Sequence, residues 1–142
     1  MTQATASKGT RFQRSNGDSP ETFTTIAELK NIAPPDETRE TADATNHDSL
    51  GDRREYIPGL IEGGTVPITG NYIWGNASQE SLYDDFTNAT VQTFRILRKT
   101  IDQGRQFQGI VTRFAGPTAP LEGINEFTAE IKVTGPITFI EP

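Results

Sequence analysis

The sequence predicts a mainly β domain: an antiparallel β-sandwich or partial barrel with one flanking α-helix and a long extended loop. Three observations carry this reading. Apolar and polar residues alternate through much of the 142-residue chain, as they do in strands with one buried face. Thirteen glycines and nine prolines sit among many threonines, which suits strands and turns better than a helical bundle. Hydrophobic residues make up only 33%, so the core has to be thin, and a sandwich tolerates that better than a multilayered fold.

Residues 1–8 are small and polar and read as a flexible N-terminal arm, with residues 9–142 forming one domain. Lys8–Ser15 is a short strand. Asn16-Gly17-Asp18 follows as a hairpin turn, because Asn and Gly both accept positive φ. Glu21–Ile32 reads as one longer strand, with Phe23, Thr25, Ala27 and Leu29 on one face and Thr24, Ile26, Glu28 and Lys30 on the other. Ala33-Pro34-Pro35 ends it. The stretch from Asp36 to Glu55 has almost no apolar content and reads as a structureless loop, closing at Tyr56-Ile57-Pro58-Gly59. Leu60–Trp74 resumes strand character. Val66, Ile68, Tyr72 and Trp74 fall to one side, and Gly63-Gly64 marks a bend or bulge.

Asn76–Asn88 is the one convincing helix. Asn76 is placed to cap its free amides, Gln79 stands at the capping-box position, and Leu82 with Phe86 forms the buried stripe. Val91–Lys99 is a strand burying Phe94 and Ile96. A turn at Asp102-Gln103-Gly104 leads into Arg105–Phe114. Ile124–Thr134 alternates most cleanly, with Phe127, Ala129, Ile131 and Val133 inside and Glu126, Thr128, Glu130 and Lys132 outside. Ile137–Ile140 reads as a separate short edge strand.

Composition excludes several classes of function. Without cysteine there are no disulfides, thiolate metal sites or cysteine nucleophiles. The N-terminus has no apolar signal region, and no apolar run approaches the ~18 residues that cross a bilayer, so a soluble protein made in a reducing cytoplasm is expected. The formal net charge is −6, the opposite of the clustered Lys and Arg that hold phosphates. His47 beside Asp48, with Asp43 nearby, admits a metal or acid–base reading, against the plainer one of a solvated loop histidine. Asp84-Asp85 pairs two carboxylates only on paper, since adjacent helix positions point apart. Asn76-Ala77-Ser78 and Asn88-Ala89-Thr90 match the glycosylation pattern, yet both coincide with helix ends, where Asn is expected anyway. No catalytic or metal-ligating residue is assigned, no cofactor is implied, and an enzyme is not expected.

The order of short segments resembles one family. Gly9-Thr10-Arg11-Phe12, the Asn16-Gly17-Asp18 turn and Phe23–Glu28 are similar to N-terminal strands of the major tail tube proteins of siphophages, the lambda-like tail tube family. Glu37-Thr38-Arg39, Thr45–Ser49 and Arg54–Leu60 resemble its long loop and re-entry strand. Gly63-Gly64, Asn71-Tyr72, Leu82–Phe86, Ala119-Pro120-Leu121 and Lys132–Gly135 follow in the same order, so the likeness spans about residues 8–135. It implies a structural virion protein, made in the bacterial host, whose homo-hexameric rings stack into a hollow tail through which duplex DNA passes without specific binding. A tape-measure protein and other tail proteins are implied partners, with no membrane. Some members carry an immunoglobulin-like C-terminal domain, which a chain stopping at Pro142 is expected to lack.

The resemblance further implies about four strands per subunit in a shared inner barrel. About twenty-four strands at ~4.8 Å spacing and ~40° tilt enclose roughly 45–50 Å of backbone diameter, ample for DNA. The implied contact between subunits or rings is the loop carrying Asp36, Glu37, Arg39, Glu40, Asp43, His47, Asp48, Asp52, Arg53, Arg54 and Glu55, with the arginines reaching carboxylates across the joint. The competing reading makes the loop a mobile surface excursion. Glu28, Glu126 and Glu130 are the expected lining of an acidic bore, against a reading as ordinary outer-wall residues. Two other functions stay open: a tail terminator or baseplate ring protein, and a monomeric binding module stacking ligands on Tyr56, Tyr72 and Trp74.

Overall fold

The computed structural model describes residues 7–18 and 20–142. Its elements run β1 (Arg11–Ser15), β2 (Phe23–Thr25), β3 (Leu29–Ile32), β4 (Thr38–Asp43), a 3-10 turn (Leu50–Asp52), β5 (Tyr56–Glu62), β6 (Thr65–Asn71), α1 (Ala77–Asn88), β7 (Val91–Leu97), β8 (Gly104–Thr118) and β9 (Glu126–Ile140). Seven strands form one antiparallel sheet in the order β2-β1-β7-β8-β9-β6-β3, while β4 and β5 form a separate two-stranded ribbon. Of the arm expected over residues 1–8, residues 1–6 lie outside the described residues.

The expected single strand Glu21–Ile32 is two strands. β2 pairs with β1 at one edge of the sheet and β3 with β6 at the other, and only Ile26, Ala27 and Glu28 join them. Four Cα steps reach about 14 Å at most, so the sheet has to roll until its edges almost meet. The bridge is tied on both sides: Ile26 N–H donates to Phe12 O at 2.9 Å, and Asn71 N–H donates to Glu28 O at 3.0 Å. Glu28 turns the chain at φ 53, and Gly70 makes room, since a Cβ there would stand 2.6 Å from Glu28 O. The edges β2 and β3 are not paired with each other, so the roll stays open.

Inside the roll lies one apolar core. Phe12, Val66, Ile68, Leu82, Phe94, Phe107, Phe127, Ala129 and Ile131 are buried. Phe12 stacks on Phe94 with ring centroids 5.5 Å apart, and Phe114 on Phe127 at 5.6 Å, contacts that add about 0.5–1.5 kcal/mol each beyond area burial. The alternation predicted for the last strand holds, with Phe127, Ala129, Ile131 and Val133 all inside. That strand does not stop at Thr134. β9 runs unbroken to Ile140, including the segment expected as a separate strand, because β8 extends alongside it across three register shifts.

The helix forms where expected, and Asn76 caps it by accepting from Ser78 and Gln79 N–H. Two details of its packing differ. Gln79 does not turn back to its cap; its side chain is buried and fixes three strand-end backbone groups. Its Nε2 donates to Ala27 O at 3.0 Å and Asn71 O at 2.8 Å, while its Oε1 accepts from Ile73 N–H at 2.8 Å. The buried stripe is Gln79, Leu82 and Asp85, and Phe86 stays 38% exposed. Asp85 takes both ends of the Arg14 guanidinium, at 2.5 and 2.7 Å, locking α1 onto β1 and holding the Arg14 pKa above its usual value through that hydrogen bond. Its neighbour Asp84 faces solvent.

Replacing Gln79 by leucine keeps the volume and strands three buried backbone groups. A loss of about 3 kcal/mol is expected in urea unfolding of the unassembled chain. A change below about 0.5 kcal/mol would mean that the helix does not hold the bridge.

Candidate assembly surface

The stretch expected to be structureless is an ordered arm. Thr38 pairs with Glu62 and Asp43 with Tyr56, so β4 and β5 zip into a ladder although every residue of both strands is exposed. β5 begins at Tyr56 rather than Leu60, and the expected strand to Trp74 is broken at Gly63-Gly64. Gly64 has φ +74, and a Cβ on it would lie 2.6 Å from Asp36 O, so glycine lets the two legs of the arm meet at its root. Lys132 Nζ donates to Glu62 Oε1 at 2.7 Å and pins the same root to β9.

The tip is held by its own polar groups. Ala44 N–H donates to Glu55 O at 2.8 Å, Glu55 N–H to Thr45 Oγ1 at 2.8 Å, and Arg54 pairs with Asp43 at 3.0 Å. Asp48 N–H donates to Asn46 Oδ1 at 2.8 Å and Ser49 Oγ to Glu55 Oε2 at 3.0 Å. Asp52 sits at φ 54 in the 3-10 turn. Arg39 reaches Gly59 O within the arm at 3.0 Å, whereas Arg53 makes no ion pair among the described residues. Asp36 stands exposed at the root, and His47 exposed near the tip. Among the described residues no group of three His, Cys, Asp or Glu side chains could hold a metal ion.

Sequence patterning missed the apolar part of this arm. Leu50 (85% exposed), Leu60 (80%) and Tyr56, Ile57 and Ile61 all face solvent. They do not alternate with polar residues, so no one-sided strand signal marks them. Beside them β9 offers an open edge. It pairs with β6 only as far as Lys132, and beyond that its free side borders a cleft of about 730 Å³ lined by Glu37, Glu40, Leu60, Ile61, Pro136 and Ile137. Two exposed strands, a row of bare apolar side chains and an unpaired edge are what a solitary protein avoids.

The carboxylates expected in a bore do not stand alone. Glu126 is paired with Lys30 and Glu130 lies 3.9 Å from Arg113, while Lys132, on the same strand as both glutamates, holds Glu62 of β5. Glu28 is exposed on the bridge and borders a separate cleft with Tyr72 and Ile124. The aromatic trio divides: Tyr56 is on the arm, while Tyr72 meets Trp74 edge to face at 5.1 Å ahead of α1. Trp74, expected to point with Val66 and Ile68, lies in a turn and is 69% exposed.

The chain is thus a rolled β domain with an exposed, partly apolar arm and unfinished strand edges. Residues 5–136 match the lambda phage tail tube protein family, and the chain belongs to it. Its role is that of a structural protein of the virion's tail tube. The fold is similar to a chain in the virion of a native gene transfer agent particle (TM-score 0.76, 21% identity, covering 96% of this chain and 98% of that one). It is also similar to a chain in the tail of an empty gene transfer agent particle with C6 symmetry (TM-score 0.77, 20% identity, 96% and 98% covered). The SPP1 tail tube matches at TM-score 0.74 and 11% identity, covering 98% of this chain and 80% of that one. No curated protein sequence matches the chain. No helix among the described residues is long and apolar enough to cross a membrane.

Two carboxylates on the arm are held below their usual range: Asp43 by the Thr45 hydroxyl and N–H with help from Arg54, and Glu62 by Lys132. A depressed carboxylate steadies the fold fully above its unfolded value and loses that effect as pH falls through the folded one. The arm is therefore expected to loosen only in acid. Carbon-detected NMR titration checks this: the Glu62 midpoint rises in Lys132→Met, and no rise would remove Lys132 as its anchor.

Proposed function

We propose that six copies of this chain join into a ring, that rings stack into a hollow tube, and that viral DNA passes through its bore without specific binding. The observation that carries this reading is the arm, exposed on both faces and rich in apolar side chains, beside the open edge of β9. Copies that cover these surfaces bury apolar area at about 25 cal/mol per Å² and leave no edge for uncontrolled pairing. The C6 symmetry of the gene transfer agent tail to which the fold is similar supports the six-fold count. A tape-measure protein and other tail proteins are the proposed partners within the bore and at its ends.

In this proposal Glu28, Glu126 and Glu130 line the bore and the arm from Asp36 to Glu55 makes the contact between subunits or rings. The outward ladder of β9 balances Lys30, Arg113 and Lys132 against Glu62, Glu126 and Glu130, so phosphates meet no continuous track of cations. Glu126→Lys with Glu130→Lys leaves five cations against one carboxylate. Tubes of this variant are expected to form but to eject DNA several-fold more slowly, measured as DNA release per minute from triggered virions. Unchanged ejection would remove both residues from the lining.

Assembly itself is read by limited proteolysis across a concentration series. Chymotrypsin is expected to cut at Tyr56 in dilute protein and to be excluded once the chain sediments as large particles. Equal cutting in both states would contradict a role for the arm in assembly.

A further inference from the structure

Charge is distributed unevenly over the molecule. Residues 36–62 carry eight of the nineteen acidic residues and three of the thirteen basic ones, so five of the six net negative charges lie on the arm. Arg98 and Arg105 line one cleft together with Pro34, which stands just before the arm, and neither makes an ion pair among the described residues. Lys99 lies over Gly9, and Arg11 donates to Arg98 O at 2.9 Å, which ties the N-terminal segment to the β7–β8 turn. Arg105 lies over the Phe139 ring at 5.2 Å and Arg98 Nη1 donates to Gln103 Oε1 at 2.6 Å, so both guanidinium groups are held in place.

Between those two arginines is a cleft of about 180 Å³, with Pro34, Ile96 and Leu97 as apolar walls and Thr10 at its margin. That volume is the share of about six water molecules at ~30 Å³ each, room for one aliphatic side chain. The arm tip carries such a side chain. Leu50 is 85% exposed, Asp48 and Asp52 flank it two residues away on either side, and the hydrogen bonds of the tip fix its shape beforehand.

We infer that Leu50 of one copy seats in the cleft of a second copy, with Asp48 and Asp52 against its Arg98 and Arg105. The contact is between two copies because Pro34, which lines the cleft, also starts the arm. In the single chain Leu50 is 85% exposed and does not line its own cleft, and the Thr38–Asp43 strand alone spans about 17 Å at ~3.4 Å per residue. This contact rests on the tube reading and gives it a specific joint: an apolar knob in a basic-rimmed socket, whose ion pairs select the orientation and whose strength falls with salt.

The chain has no cysteine, so a single introduced pair reports the contact cleanly. Chains with Leu50→Cys and chains with Thr10→Cys are mixed, assembled under reductant, oxidised and run on a denaturing gel without reductant. A covalent dimer is expected, and none with Leu50→Cys and Asp84→Cys on the outer face of α1. Tubes that yield no Leu50–Thr10 dimer overturn the inference and leave the tube reading standing. Failure of the unaltered chain to form tubes overturns that reading instead. A second measurement is independent of cysteine. Asp48→Asn with Asp52→Asn, and Arg98→Gln with Arg105→Gln, should each raise the concentration needed for assembly about tenfold. All four together should raise it no further, since the same pairs are lost. Unchanged assembly in either double variant, or strictly multiplicative effects, contradicts the socket.

Discussion

The bridge from Ile26 to Glu28 is the constraint on which the rest of this structure depends. It joins strands at opposite edges of a seven-stranded sheet, and so obliges the sheet to roll around its phenylalanines. Rolling brings β1 and β6 within reach of one short segment. Gln79 then holds that segment from the helix, and Asp85 holds the helix to β1 through Arg14. Helix, bridge and sheet therefore form one hydrogen-bonded unit.

With the body rolled in this way, what remains outside is conspicuous. The arm gives up burial on both faces and is kept in shape by its ladder, by the glycine at its root and by the polar network at its tip. Such an element costs conformational entropy and recovers little within one chain. In the proposed assembly that cost is recovered when other copies cover the arm, which fits membership of the tail tube family.

Much of the body was legible in the sequence. The last strand announces itself because its apolar residues fall strictly on alternate positions from Phe127 to Val133, and the helix because Asn76 stands before a helical pattern. The break between β2 and β3 was hidden. Phe23, Thr25, Ala27 and Leu29 keep to every second position across it, with Ile26 on the otherwise polar face as the one hint, and the turn uses a glutamate at positive φ where a glycine would have been a signal. Gln79 occupied a capping position by spacing, while tertiary demand for three hydrogen bonds drew its side chain inward. β4 was illegible for a different reason: strand patterns record a buried face, and Thr38–Asp43 buries neither face. The charged residues of the arm were visible as a composition, but their partners within the arm and the exposed Leu50 and Leu60 depend on the fold.

The central claim is that unfinished surfaces on one copy are completed by others. A cryo-electron reconstruction of the purified protein at high concentration tests it most directly. The expected density shows stacked six-fold rings in which both faces of each arm are covered by other subunits and the far half of β9 is paired along its open side. Particles that remain single, or rings in which the arms hang free in solvent, would contradict it.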